Sequence, residues 1–225
     1  MLRVVMGARG MIVLAGGRSR RMGRDKAWLP VGDEPALGRV VRVGLEAGLE
    51  VVVVGSRGQA LPTLAPGVTR VDDPVERAFE GPLSGLAVGL ALLRARGVEL
   101  VAAASCDALL MGPEHLRFVL DALARSDRAA LVPVDPPGPD GAGRMHPLCA
   151  AMRVAEADAR ARALLEAGRR AARDLLQSLH AEEIAVSVLP EPAVVEAVNT
   201  PAQWDAAVAR LRAQGRLRST DDHVE

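Results

Sequence analysis

Glycines, basic side chains and isolated carboxylates that follow apolar runs are the residues of this sequence best equipped for chemistry, and the chemistry they suit is the handling of phosphates. The densest group is Leu14-Ala15-Gly16-Gly17-Arg18-Ser19-Arg20-Arg21-Met22-Gly23-Arg24-Asp25-Lys26, directly after the apolar residues 11–14. Gly16 and Gly17 remove side chains where a nucleotide needs close backbone approach. Consecutive loop N–H groups can then point at anionic oxygens. Arg21 and Lys26 add positive charge, one as a planar fork of donors and one as a compact point charge. The segment is not a Walker loop, because no Gly-Lys-Ser/Thr ends it. It is not the dinucleotide fingerprint either, because the Gly-x-Gly-x-x-Gly spacing fails.

The carboxylates lie further on. Asp107 closes the apolar stretch 98–105, a place suited to Mg²⁺, which takes one or two carboxylates plus phosphate oxygens and water. A turn or helix cap ahead of Pro113 is the plainer alternative. Asp72-Asp73-Pro74 reads by itself as a solvated turn. It precedes Gly81-Pro82-Leu83-Ser84-Gly85, where Gly85 serves either close approach to a ligand or helix–sheet packing. Cys106 and Cys149 sit far apart in apolar runs and read as buried hydrophobes, with neither disulfide nor zinc spacing. No Cys/His or Ser-His-Asp set points to covalent catalysis.

The elements that must position these groups alternate. Strands are expected at 11–14, 51–54, 98–105, 129–134, 147–152 and 184–189. Helices are expected at 35–47, 82–96, 113–126, 155–167, 170–179 and 201–214, by apolar spacing and by Pro and Gly at their ends. The β-branched run 51–54 has the character of a parallel strand buried on both faces. Residues 135–145 form a long Pro/Gly loop of the kind that is often functional. The pattern predicts an α/β fold, a mostly parallel sheet with helices on both faces, and ligands at the carboxyl ends of the strands. We expect one domain over 11–215, with 1–10 a loose extension or an early start and 216–225 a polar tail.

Lys plus Arg balances Asp plus Glu at 28 each, which argues against a general nucleic-acid or membrane-surface binder. Tyr is absent and aromatics are scarce, so stacking surfaces for bases are few. No run approaches the roughly 20 apolar residues of a membrane span, and the expected location is cytoplasmic.

The segment 14–26 resembles the signature of the molybdenum cofactor guanylyltransferase family, Leu-Ala-Gly-Gly-x-Ser-x-Arg-Met-Gly-x-Asp-Lys, at every fixed position. That resemblance implies a Rossmann-like nucleotidyltransferase fold and transfer of GMP from GTP to molybdopterin, with Mg²⁺ as cofactor. It implies catalytic roles for Arg21, Lys26 and Asp107, with Asp107 the metal ligand. It implies nucleotide contacts from Leu14, Ala15, Gly16, Gly17, Lys26, Asp73, Gly81 and Asp107, Asp72 being the alternative to Asp73 by a slip of one. Cys106-Asp107 is similar to the family's Cys-Asp motif, although Leu109 replaces its usual Pro. Val54-Gly55-Ser56-Arg57 lacks the family's Asn, so the interaction of that Asn with the nucleotide is either missing or made instead by Ser56 or by backbone.

The acceptor side is implied more thinly. His146, in His146-Pro147-Leu148, and Arg170, in the basic stretch Arg169-Arg170, match places near the pterin, each with a structural alternative. Asn199, in Asn199-Thr200-Pro201, would orient the metal or the pterin, or else cap the following helix. Ala197 replaces the first Asn of that motif. We expect a monomer with GTP and molybdopterin as substrates, transient contact with other molybdenum cofactor proteins, and no nucleic-acid or membrane partner. The competing readings are cytidylyl transfer to molybdopterin, sugar-nucleotide synthesis on the same fold, and a non-catalytic nucleotide-binding or cofactor-delivery protein. The pair Gly16-Gly17 favours guanine, since the cytidylyl relatives typically carry Ala-Gly there.

Overall fold

A computed structural model of the chain describes residues 7–16, 25–74, 81–138, 143–196 and 198–217. The strands are β1 (Arg9–Leu14), β2 (Pro30–Val31), β3 (Glu34–Pro35), β4 (Glu50–Ser56), β5 (Thr69–Asp73), β6 (Leu100–Ser105), β7 (Ala130–Val134), β8 (Ala151–Arg153) and β9 (Glu182–Ala185). The helices are α1 (Ala36–Glu46), α2 (Pro82–Ala95), α3 (Pro113–Arg125), α4 (Val154–Glu166), α5 (Ala172–Ser178) and α6 (Pro201–Ala213). Among the described residues seven strands make one sheet in the order β5-β4-β1-β6-β8-β7-β9, and β2 pairs with β3 as a small hairpin. Neighbours in the large sheet run parallel except where β8 pairs antiparallel with β6 and β7. No described helix is long and apolar enough to cross a membrane.

Period-two alternation sends the strand side chains into two cores. Met11, Val13, Val51 and Val53 pack with α1 and α3 on one face. Ile12, Leu14, Val52 and Val54 pack with α2, α4 and α5 on the other. Burying one such side chain stabilises by about 1.5–3 kcal/mol, more than the ~1 kcal/mol span of strand propensities. Within β6, Ala102-Ala103-Ala104 favours helix by propensity yet is strand, because the segment is held by its ladder to β1 and by burial of its neighbours Leu100 and Val101.

Gly85 and Gly89 let α2 lie close on β1. A Cβ at Gly89 would sit 2.8 Å from the Ile12 side chain, and one at Gly85 would sit 3.0 Å from Leu14. Gly85 therefore serves helix–sheet packing, which brings the start of α2 over the carboxyl end of the sheet, and it also borders the cavity there.

Several expected boundaries move. Strand β1 begins at Arg9 rather than residue 11, and Arg9 pairs with Asp121 at 2.6 Å. Asp72 and Asp73 lie in an edge strand, not a turn. The stretch 147–152 begins as a 3-10 turn at Pro147–Cys149, because proline has no N–H for a ladder, and only Ala151–Arg153 is strand. The late strand is Glu182–Ala185, followed by a 3-10 turn at Val186–Val188. At the other end Arg216, expected in the tail, docks on the body: its guanidinium donates to the Leu110 and Met111 carbonyls, and its own carbonyl accepts from Arg39.

A third apolar cluster joins Val31 of the hairpin to Trp204, Ala207 and Leu211 of α6. The Trp204 indole N–H donates to the Pro30 carbonyl at 3.1 Å. Through this contact the C-terminal helix is fixed against the segment that follows Lys26.

Candidate active site

Strands β1, β4 and β6 end side by side, and their exits form a cavity of about 380 Å³ walled by Leu14, Ala15, Gly16, Ser56, Ser105 and Asp107. Asp73 at the end of β5 and Gly81 at the start of α2 complete it, and Lys26 borders it. Among the described residues, every nucleotide-contact residue expected from the sequence therefore lines one cavity. Gly17 and Arg21 lie outside the described residues. The backbone differs from expectation at one point. The Ala15 and Gly16 N–H groups both donate to the Val54 carbonyl, at 2.8 and 3.3 Å, so these two continue the ladder instead of facing an anion. A Cβ at Gly16 would stand 3.0 Å from the Ser56 hydroxyl, so the glycine keeps this strand end close to Ser56.

Lys26 stands on a 3-10 turn, Lys26–Trp28, whose N-cap is Asp25. Its ammonium donates to Asp107 Oδ2 at 2.6 Å, to the Val198 carbonyl at 3.0 Å and to Asn199 Oδ1 at 3.0 Å. The Ser105 hydroxyl donates to the other Asp107 oxygen. Leu109, in the place of the family's proline, uses the N–H that proline lacks: it donates to the Asp107 carbonyl at 2.8 Å, and the leucine side chain is buried.

A second cavity of about 210 Å³ shares Ser105, Asp107 and Leu148 with the first and is lined on its far side by Arg144, His146 and Asn199. His146 is buried, with Nε2 3.0 Å from an Asp135 oxygen but not in line for a hydrogen bond. Asn199 does not cap α6. Thr200 does, in a reciprocal capping box with Gln203, and this frees the Asn199 side chain to meet Lys26. Arg170 stands apart and lines neither cavity. Its guanidinium donates to the Leu165 and Arg169 carbonyls at the end of α4. Its backbone carbonyl accepts from Leu83 and presses on Gly81, where φ is +136° and a Cβ would lie 2.5 Å from that oxygen.

Asp73 rather than Asp72 lines the cavity. Strand alternation turns Asp72 to Arg70 at 2.9 Å, whereas Asp73 accepts from Ser84 Oγ of α2. Ser84 and Gln59 went unread in the sequence, and so did the capping role of Asp25. Asp25 had a signal in its place beside Lys26, but Gln59 had none. Burial pushes the Cys106 thiol far above its ordinary range and Cys149 up to about 12, with the Asp107 charge adding to both. Protonated thiols are poor nucleophiles, which fits a site that works without covalent catalysis. Among the described residues no three His, Cys, Asp or Glu side chains gather as a metal nest. One carboxylate with hydroxyl and amide oxygens nearby suits Mg²⁺ that draws its other ligands from phosphates and water.

The MobA-like NTP transferase domain matches residues 11–184. The chain belongs to this family. This NTP transferase is 33% identical over 204 residues to a probable molybdenum cofactor guanylyltransferase of Mycolicibacterium paratuberculosis, covering 90% of the chain and 95% of the relative. It is 34% identical over 161 residues to one of Mycobacterium tuberculosis, covering 71% and 74%. Its fold is similar to molybdopterin-guanine dinucleotide biosynthesis protein A of Archaeoglobus fulgidus, with a TM-score of 0.69 at 19% identity over 91% of this chain and 99% of that one. It is likewise similar to 2-C-methyl-D-erythritol 4-phosphate cytidylyltransferase of Thermus thermophilus, at 0.67 and 22% over 92% and 100%. The mostly parallel sheet with helices on both faces is the α/β nucleotidyltransferase fold expected from the sequence.

Proposed function

We propose that this nucleotidyltransferase is a cytoplasmic monomer that moves GMP from GTP to molybdopterin. The observation that carries the reading is the Lys26–Asp107 pair on the wall between two adjoining cavities, one bounded by the glycine strand end and one by His146 and Asn199. The names of the curated relatives support the same substrates. A phosphate oxygen of the pterin attacks the α-phosphorus of GTP, the bond to the β-phosphate breaks, and pyrophosphate leaves.

The protein supplies no nucleophile. It holds two phosphates in line and offsets the charge that grows between them. Lys26 would exchange protein acceptors of its ammonium for the β- and γ-phosphates, with Arg21 assigned the same task from sequence. Asp73 and the Ala15-Gly16 backbone would fix the nucleoside, and His146 and Asn199 would face the pterin. Asp107 would hold Mg²⁺, which supplies charge neutralisation on the phosphates when bound, and Asn199 lines the same second cavity.

A pyrophosphate-release assay with each of the four triphosphates, with and without molybdopterin, tests this. GTP should support release, and only when the pterin is present. Release with CTP in preference to GTP would replace guanine by cytosine. No release with any triphosphate would remove the catalytic reading.

A further inference from the structure

One amide side chain outside both cavities joins the segments that build the donor wall. Gln59 ends a tight turn after β4, in which its N–H donates to the Ser56 carbonyl at 3.0 Å while its Oε1 accepts from the Ser56 N–H at 2.9 Å. Locked on both sides of Ser56, the amide presents Nε2 in one direction. Nε2 donates to the Ala15 carbonyl at 3.1 Å and to Asp25 Oδ2 at 2.7 Å. The amide orientation is forced, because the flipped form would set its oxygen against two acceptors.

Asp25 uses its other oxygen to cap the Lys26 turn, accepting from the Ala27 N–H at 3.0 Å. Ala15 and Ser56 are walls of the donor cavity, and Lys26 borders it. We propose that Gln59 is a positioning residue that sets the spacing between the Ala15-Gly16 strand end and the Lys26 turn, and thereby the grip on the triphosphate. Only glutamine offers two donors and an acceptor at this reach. Glutamate would bring a second carboxylate against Asp25, and asparagine is one methylene short. The inference rests on the nucleotidyltransferase reading for what is gripped, but not for the clamp itself.

The test uses the full chain in three forms: Gln59→Ala, Gln59→Glu, and Gln59→Glu combined with Asp25→Asn. In the last form the amide introduced at position 25 keeps the Ala27 cap through its oxygen. Its nitrogen donates to the carboxylate introduced at position 59. The KM for GTP should rise at least tenfold in Gln59→Ala while the KM for molybdopterin stays within twofold. Gln59→Glu should be worse, and adding Asp25→Asn should return it at least to the Gln59→Ala level. A GTP KM within twofold of wild type in both single variants, or no recovery in the double variant, overturns the proposal.

Trp28 gives a readout that needs no turnover. It is half-exposed on the Lys26 turn, with its indole N–H on the Ala60 carbonyl at 2.9 Å. In a Trp204→Phe background without nucleotide, Gln59→Ala should raise acrylamide quenching of Trp28 at least twofold. Unchanged quenching overturns the clamp. Raised quenching in a protein that releases no pyrophosphate from any triphosphate upholds the clamp and removes the nucleotidyltransferase reading instead.

Discussion

The Lys26 ammonium and the Asn199 side-chain oxygen, 173 positions apart in the chain, meet at 3.0 Å. One lysine therefore ties the glycine-rich segment to the start of the last helix, with Asp107 between them. Removing charge at such a place costs transition-state stabilisation on the order of 3–4 kcal/mol. Lys26→Ala and Asp107→Ala should each lower kcat for pyrophosphate release by roughly 10²- to 10³-fold. Asn199→Ala keeps both charges and should lose roughly tenfold, the value of one polar contact. Steady-state kinetics with GTP and molybdopterin check all three, and near-normal turnover in Asp107→Ala would remove the proposed metal ligand.

Nucleotide preference should appear in melting as well as in turnover. A ligand at about 100 times its dissociation constant adds about 2.7 kcal/mol, which for a chain of this size is a shift of roughly 5–10 °C. Mg-GTP should reach that range and exceed Mg-CTP and Mg-UTP. A larger shift with CTP would turn the base assignment over.

His115 gives the fold an acid sensitivity. It is fully buried on α3, with Nε2 facing the Cys149 carbonyl at 3.3 Å and Nδ1 without a partner. Burial lowers its pKa from the ordinary 6.5 to about 4. The unfolded chain then takes up a proton that the folded chain refuses, so stability is full above pH 6.5 and falls as the pH drops toward 4. The loss is on the order of 3 kcal/mol. Urea unfolding from about pH 7.5 down to about pH 4 should show this slope, and His115→Met should flatten it. An equal slope in the variant would assign the sensitivity to other groups.

Gly81 is held by geometry rather than by chemistry. With φ at +136° and the Arg170 carbonyl 2.5 Å from any Cβ, Gly81→Ala should cost about 1–3 kcal/mol of stability. It should also weaken GTP binding, since the residue walls the donor cavity. Gly89→Ala, which crowds Ile12 away from that cavity, should cost about 1–3 kcal/mol with little change in KM. Denaturation midpoints and KM values measured together separate the two effects.

What was legible in the sequence follows the burial of each element. Strands β1 and β4 lie under helices on both faces and write themselves as unbroken apolar runs. Edge strand β5 buries little, so Thr69–Asp73 carries no such run, and its end at Asp72-Asp73 has the look of a turn. Lys26 and Asp107 were legible because a glycine-rich loop and a strand-end carboxylate announce phosphate chemistry. Gln59 was not, because its role exists only once Ala15, Asp25 and Ser56 converge on it. Asn199 was ambiguous for a related reason: two adjacent residues can cap a helix, and only the fold shows Thr200 doing so.

The two cavities are made of different material. The proposed donor wall is the end of paired strands, with α2 pressed on β1 through Gly85 and Gly89. The proposed acceptor wall is built from connecting turns around Arg144, His146, Val194, Val195, Val198 and Asn199. Changes in turns leave the sheet intact, whereas changes at the strand ends disturb both cores. With the proposed assignment, the molecule that receives the nucleotide can be changed without disturbing the strand ends that hold the donor, and a laboratory search for new acceptors should begin on the His146 side.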